Sequence, residues 1–570
     1  MDLRLLEAMP TTSEQSAVDA VLGPPESGTD AGGASGRIAY GGHAVRARRH
    51  LLLPALHALR DARGWITEGG LGYVCERLTV APAEAYGVAT FYALLGTEAR
   101  PDRVVHVCDD IVCATRGSSE VIADLERDGV AVRRSPCLGD CARPCATLED
   151  VAGSPLAAAT GCPPVPQDRD GLRILARVGV TDPSSLADHE RHGGLAALRR
   201  ARELGPEGVL IELERSRLRG RGGAAFPVAA KWRSVRSAPG AVKHVIANGD
   251  ESEPGTFKDR VLMEADPFAV LEGLLIAADV TGASDAWIYV RAEYPQAISR
   301  LRDAIAQIEQ AELAPGVTLR LRVGAGAYVC GEETALIASI EGNRGEPSQR
   351  PPYPTTHGLF GQPTAINNVE TLVDTLDVVQ RGGSAFAAEG TEASTGRKLF
   401  SVAGAVGSPG VYEVSFGTTL RTLIDLAGGV AGVLGSVLLG GAAGTFIGPD
   451  GLDLPLTFED AAAAGATLGS GGVVVFDDTT DFGGVVRRIA SFFRDESCGK
   501  CVPCRVGTVR QEEALIRLGS GAPIGSVEDE LHLLADLDAV MTDASICGLG
   551  RTAASAVRSA IAQGLPGVIA

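Results

Sequence analysis

From position 43 to 95 apolar residues recur at helical spacing, as in Leu51-Leu-Leu-Pro-Ala-Leu-His-Ala-Leu59 and Ala83-Glu-Ala-Tyr-Gly-Val-Ala-Thr-Phe-Tyr92. A short apolar run, Val104-Val-His-Val107, then predicts a strand, and 120–127 predicts a helix. Short strands around one helix imply a small α/β unit that carries its functional groups on loops at strand ends. Between 199 and 388 strand signals at 243–247 and 285–290 alternate with helical stretches, which predicts a larger α/β block. From 398 to 476 the pattern changes to strands separated by glycine turns, with one short helix at 420–426. Helical spacing returns over 485–493, 511–518, 528–541 and 552–563.

These shifts divide the chain into a segment 1–42, rich in Ser, Thr, Gly, Pro and Asp and predicted to lack fixed structure, a helical plus small α/β domain at 43–155, a linker at 156–198, an α/β domain at 199–390, a strand-rich domain at 398–480 and a helical domain at 485–570. At 570 residues the chain is too long for one core. No charge occurs from Leu426 to Pro449, yet the stretch holds Gly428, Gly429, Gly432, Gly435, Gly440, Gly441, Gly444 and Gly448. So much glycine gives weak membrane insertion, and the glycine pairs predict turns between short strands. The segment is expected to be soluble.

A net charge of −19 and a pI near 5.0 argue against nucleic-acid or anionic-membrane partners, which require clustered Lys and Arg. Proteins and small molecules are the expected partners. The start, with Asp2 and Arg4, shows no secretory pattern, and cysteines at ligand spacing suit a reducing cytoplasm.

Cys498, Cys501 and Cys504 form C-x2-C-x2-C, with a distant fourth cysteine, Cys547, in Ile546-Cys-Gly-Leu-Gly550. Three closely spaced thiolates and one remote one suit a [4Fe–4S] cube; structural zinc is the alternative, although zinc sites more often use two C-x2-C pairs. A second set, Cys108-x4-Cys113 and Cys137-x3-Cys141, suits the two irons of a [2Fe–2S] cluster, again with zinc as the alternative. Cys145 lies close enough to Cys141 to compete as fourth ligand. Cys75 and Cys330 read as inert core thiols, and Cys162 has no partner at ligand spacing.

Leu218-Arg-Gly-Arg-Gly-Gly-Ala-Ala-Phe-Pro227 brings Gly220, Gly222, Gly223 and Ala224 to a turn before a predicted helix, where free backbone N–H groups meet a phosphate. A tight turn alone is the plainer alternative, and the dinucleotide fingerprint is not matched, since Ala225 occupies its last glycine position. Asn248-Gly-Asp-Glu-Ser-Glu-Pro-Gly-Thr-Phe-Lys-Asp259 places an amide and acids directly after a strand, and Gly324-Ala-Gly-Ala-Tyr-Val-Cys-Gly-Glu-Glu-Thr334 adds two adjacent carboxylates. Glu332 and Glu333 either cap a helix or shape the electrostatics of a bound cofactor.

Together with Ile366-Asn-Asn-Val-Glu-Thr371, these motifs resemble the flavoprotein subunit of respiratory complex I and the NAD-linked diaphorase subunits of hydrogenases and formate dehydrogenases, while 43–150 resembles the small [2Fe–2S] subunit of the same module, here fused in one chain. The resemblance implies a multidomain α/β architecture: a thioredoxin-like [2Fe–2S] domain, a Rossmann-like FMN/NADH domain, a ubiquitin-like (SLBB) domain and a helical [4Fe–4S] bundle. It implies FMN contacts at Gly220, Arg221, Gly222, Gly223, Lys231, Asn248, Asp250, Glu251, Tyr328, Gly331, Glu332, Asn367, Asn368 and Thr371. NADH contacts fall on Phe226, Glu253, Glu333 and Arg350, with Glu332 and Glu333 as the catalytic pair. Clusters fall on Cys108, Cys113, Cys137 and Cys141, and on Cys498, Cys501, Cys504 and Cys547. Ser234 stands where complex I has a second aromatic for the adenine, and Ala225 and Ala229 replace glycines.

The implied function is an NADH:acceptor oxidoreductase (diaphorase) that carries a hydride between NADH and FMN and single electrons between FMN and iron–sulfur clusters, with partner iron–sulfur and catalytic subunits of the formate dehydrogenase or hydrogenase type. The alternatives are a complex I input subunit, a free-standing NADH dehydrogenase, and a zinc-bearing scaffold without catalysis. Flavin and cluster absorbance separates the scaffold from the rest.

Overall fold

The computed structural model describes residues 7–25 and 48–570, with the backbone alone at 3–4 and 38–39. Inside the segment expected to lack structure, Thr12–Leu22 is a helix. Its start is a capping box: Thr11 Oγ1 accepts from Glu14 N, and Glu14 reaches back to Thr11 N. Val18 and Leu22 are buried against the helices Leu52–Arg63 and Glu68–Leu78, which explains why the segment folds despite its composition. Outside 7–25, the remainder of 1–42 falls outside the described residues, apart from the two short backbone stretches.

The first α/β unit is a sheet ordered Ala131–Ser135, Arg103–Cys108, Thr147–Val151, Ala157–Ala158. The first two strands are parallel and the others antiparallel, so Cys108 and the loop carrying Cys137 and Cys141 emerge side by side. This is the expected placement of a cluster at strand ends. The larger domain is a fully parallel sheet ordered Thr364–Asn368, His244–Gly249, Asp285–Val290, Thr318–Val323. Its second strand in space is its first in sequence, so the order reverses between His244–Gly249 and Thr364–Asn368. In open parallel sheets ligands bind in the crevice beyond such a reversal.

The strand-rich domain has five strands in the order Gly410–Ser415, Arg397–Gly404, Gly472–Asp477, Leu434–Leu439, Thr445–Ile447. Its first and last strands in sequence pair in parallel at the centre, with Leu420–Leu426 as the packed helix, the arrangement of a ubiquitin-like fold. The uncharged 426–449 stretch supplies two of these strands, with left-handed glycines at Gly428, Gly429, Gly440 and Gly441 making the turns. No helix among the described residues is long and apolar enough to cross a membrane. Helices Phe482–Asp495, Val502–Gly519 and Val527–Ala544, followed by two shorter ones, close the chain.

The expected linker is held along its length. Glu413 accepts from Arg173 N and Leu175 N, Val411 N donates to Pro164 O, and Arg177 pairs with Asp266 at 2.9 Å. Buried His189 lies 3.3 Å from Asp266 and 3.4 Å from Glu272. The stretch also contains the short helix Leu186–Arg191 and the start of the helix Ala196–Ser216, so a Pro- and Gly-containing composition excludes neither contacts nor short regular elements.

Candidate functional site

Asn248 and Asn368 pair in register at the strand reversal, and both lie at the carboxyl ends of their strands. Asn248 Nδ2 donates to Gly331 O at 2.9 Å, and its Oδ1 accepts from Asp250 N. Asp250 keeps a buried Oδ2 with no hydrogen-bond partner, and burial raises its pKa to about 8. On the facing strand Asn367 accepts from Trp232 Nε1, while Asn368 caps the helix Val369–Arg381 through Glu370 N. The glycine-rich turn closes the crevice. Gly222 approaches so near that a Cβ there would lie 3.0 Å from Asn368 Cβ, and Gly223 has φ +106°. Ala225 adopts φ +50°, a conformation that costs an alanine about 1 kcal/mol.

Arg221 does not point its charge into the crevice. Its guanidinium is buried on Asp374 at 2.7 Å and over the Phe416 ring, while its backbone N–H donates to Thr371 Oγ1 and its carbonyl accepts from Lys398 Nζ. Beneath the turn, Lys258 contacts Asp259 and Glu370, each at 2.8 Å, and Lys398 lies 3.7 Å from the same Glu370. Burial lowers Lys398 to about 8, whereas Lys258 is held up by its two carboxylates despite burial. Sequence reading missed both lysines: Lys258 stands inside the Asn248–Asp259 motif without being among its expected contacts, and Lys398 is a lone residue with no motif around it.

Lys231, on the helix Val228–Ser237, donates to Glu333 Oε1 at 2.5 Å and to Ile366 O, and its Nζ lies 5.9 Å from the Phe226 ring. Phe226 is 53% exposed, available for stacking. Glu332 is the N-cap of the helix Glu333–Ile340, accepting from Thr334 N and Ala335 N, and it pairs with Arg350. Glu333, one residue on, faces both Lys231 and Arg350. The two readings of the pair thus divide: Glu332 is the cap, and Glu333 is the carboxylate beside Lys231. Ser234 is exposed three residues beyond Lys231.

Two expected contacts are engaged elsewhere through their side chains. Glu251 accepts from Asp259 N and Arg260 N at the start of the helix Lys258–Ala265, leaving its backbone to the loop. Glu253 accepts from Tyr328 Oη and from Ala443 N of the ubiquitin-like domain. Tyr328 also donates its N–H to Glu496 and packs on Phe492, ring centroids 5.0 Å apart.

Cys498, Cys501, Cys504 and Cys547 line one cavity together with Val329, Pro347, Ile546 and Leu549. Burial raises Cys504 to about 12 as a free thiol, so metal binding must supply the charge that keeps it as thiolate. In the other set Cys137 Sγ lies 3.4 Å from Cys141 Sγ, and Cys108, Cys113, Cys137 and Cys141 are all buried. Cys145 instead directs its Sγ to Arg116 O. Cys75 is fully buried and raised to about 12, as an inert thiol should be.

The groups fit their implied cofactors: two sets of four cysteines for clusters, and a glycine cradle with an orphaned buried carboxylate oxygen for a polyol phosphate such as FMN. Residues 213–377 match the Nuo51 FMN-binding domain, 484–563 the NADH-ubiquinone oxidoreductase-F iron–sulfur binding region, 41–152 the thioredoxin-like [2Fe-2S] ferredoxin and 399–435 the SLBB domain. The F 2 subunit of NADH-quinone oxidoreductase in Rhizobium meliloti (strain 1021) is 41% identical over 400 residues, 68% of this chain and 94% of that protein. The NADP-reducing hydrogenase subunit HndC of Solidesulfovibrio fructosivorans is 38% identical over 68% of this chain and 80% of its own. The crystal structure of an NAD+-reducing [NiFe]-hydrogenase in the air-oxidized state superposes with TM-score 0.79 and 32% identity, over 92% of this chain and 94% of that one.

Proposed function

Because this chain belongs to the family of NADH-quinone oxidoreductase F subunits, with a thioredoxin-like [2Fe–2S] domain in the same polypeptide, we propose that it is the electron-input module of a larger NAD-linked redox complex. It is an oxidoreductase of NADH that uses FMN, [2Fe–2S] and [4Fe–4S] groups. Bound FMN supplies the exchange between two-electron hydride chemistry and single-electron steps. The protein supplies geometry. Gly220 N and Arg221 N are bonded to Phe226 O and Thr371 Oγ1, so the backbone N–H groups of Gly222 and Gly223, with the charge of buried Lys258 and Lys398 behind them, hold the phosphate; Asn248 and Asp250 orient the polyol; Phe226 stacks on the nucleotide, and Glu333 with Arg350 receives its polar groups.

One observation carries this reading. Tyr328–Gly331 is a single 3-10 turn, and it serves both sites: Gly331 O binds Asn248 at the crevice, while Val329 lines the four-cysteine cavity. A flavin held in the crevice and a cluster held by the four cysteines would therefore share this one turn as their common wall. Cys108, Cys113, Cys137 and Cys141 hold the second cluster as a store or relay.

A parent complex of the hydrogenase type is favoured by the likeness, over nearly the whole chain, to a structure of an NAD+-reducing [NiFe]-hydrogenase. The location we propose is cytoplasmic, with any association with a membrane peripheral and made through partner subunits. The test is NADH-dependent reduction of an artificial acceptor by the purified chain, with the native complex isolated to identify its other subunits. No acceptor reduction by protein holding FMN and both clusters contradicts the proposal.

A further inference from the structure

Arg291 sits at the end of the strand Asp285–Val290 and is 3% exposed. One arm of its guanidinium, Nη1, donates to Glu251 O at 2.7 Å, in the loop that follows Asn248 and Asp250. The other, Nη2, donates to Cys137 O at 2.7 Å and to Glu293 Oε1 at 2.8 Å. The same side chain lies over the Tyr294 ring, which Arg260 covers as well. Arg260 Nη1 in turn donates to Gly139 O at 3.1 Å, and a Cβ on Gly139 would lie 2.1 Å from Tyr294 Oη. The Cys137–Cys141 loop is thus seated on a buried platform of two guanidinium groups and one phenol.

Reducing a [2Fe–2S] cluster adds one negative charge to a site with little solvent. A buried cation near the ligands favours the reduced form, and a buried anion opposes it, because charge interactions are weakly screened there. Arg260 is matched by Glu264 at 2.8 Å, and Arg291 by Glu293, so each cation is held against one carboxylate. Arg291 is the cation bonded to a ligand residue itself. We propose that Arg291 is a positioning residue of the [2Fe–2S] site, which clamps the Cys137 loop to the flavin-side loop and raises the cluster's potential. Its loss leaves Glu293 as an uncompensated buried charge, and loss of Glu293 leaves Arg291 so. The two substitutions therefore shift the potential in opposite directions.

This inference rests on the [2Fe–2S] reading. A wild-type chain without a [2Fe–2S] signal fails that reading, whereas a wild-type signal insensitive to these residues fails the inference alone. The experiment is a redox titration of the full-length holoprotein followed by electron paramagnetic resonance, in wild type, Arg291→Gln, Arg291→Lys and Glu293→Gln. Arg291→Gln should lower the reduced-to-oxidised ratio of the [2Fe–2S] cluster at least tenfold at fixed potential, about 59 mV for one electron. Arg291→Lys should restore most of this, Glu293→Gln should shift the ratio upward, and the [4Fe–4S] midpoint should stay put. Unmoved [2Fe–2S] midpoints, or shifts of the same sign in Arg291→Gln and Glu293→Gln, overturn the proposal. If Arg291→Gln assembles no cluster, an upward shift in Glu293→Gln supports the proposal and its absence overturns it.

Discussion

Tyr328 donates its hydroxyl hydrogen to Glu253 Oε2 at 2.5 Å, joining the turn beside the cysteine cavity to the loop beyond the flavin-side strand. Glu253 also accepts from Ala443 N at 2.8 Å, so the flavin-side domain and the ubiquitin-like domain meet on one carboxyl group. Burial pushes Glu253 up to about 7, against the opposing hydrogen bonds from Tyr328 and Ala443.

A raised carboxyl inverts the usual acid dependence. Between the ordinary value of 4.5 and about 7 the folded chain binds more protons at this position than the unfolded chain does. The stability it contributes is therefore full below 4.5 and is lost as pH rises to about 7. Glu253→Gln, which cannot ionise, should match wild type in apparent Tm at pH 5 and exceed it at pH 8. A difference between the two proteins that does not change with pH would refute this origin.

We expect nucleotide choice to rest on Glu333, which is partly exposed beside Lys231 and Arg350, rather than on both carboxylates, since Glu253 is held inside by Tyr328 and Ala443. A carboxylate accepts from a free ribose 2′-hydroxyl and repels a 2′-phosphate; at about 4 Å and an effective dielectric near 20 the repulsion is about 4 kcal/mol for an isolated pair, or about tenfold in preference after discounting for solvent and for the Lys231 and Arg350 charges beside Glu333. NADH should be preferred to NADPH in kcat/KM. Glu333→Gln should narrow the ratio about tenfold, and Glu253→Gln should leave it nearly unchanged. The reverse order would assign discrimination to Glu253.

Cluster assignment separates by single cysteines. Cys501→Ser should remove the [4Fe–4S] resonance and leave the [2Fe–2S] one. Cys141→Ser should do the opposite, and Cys145→Ser should retain both, because its sulfur faces Arg116 O. Loss of the [2Fe–2S] signal in Cys145→Ser would reassign the fourth ligand.

Ser234 tests the adenine side. Ser234→Phe, on the exposed face of the helix that carries Lys231, should lower KM for NADH by about two- to tenfold, the worth of one aromatic stacking contact. An unchanged KM would place the adenine away from this helix.

Much of this was legible in the residues. Cysteine spacing marked the two sets that the fold brings together, and the strand before Asn248 and the helix after Pro227 marked the crevice, because periodicity and glycine turns are local signals. Thr11-x-x-Glu14 was a readable capping box that composition obscured. The side chains of Arg221, Glu251 and Glu253 were not legible as anchors, since their partners Asp374, Arg260 N and Ala443 N come together only in the tertiary fold. Lys398 is the clearest case: a single lysine on a strand of one domain reaches Arg221 O in another.

We propose that NADH delivers electrons to a flavin held in the crevice beyond Asn248 and Asn368, and that they pass the Tyr328–Gly331 turn to the cluster at Cys498, Cys501, Cys504 and Cys547. The most direct measurement is anaerobic rapid mixing of the holoprotein with NADH, following flavin absorbance and freeze-quenched cluster resonances together. NADH should bleach the flavin, with the [4Fe–4S] signal of the reduced state following, whereas Cys501→Ser should bleach without it. Bound FMN that NADH does not bleach would overturn this electron path.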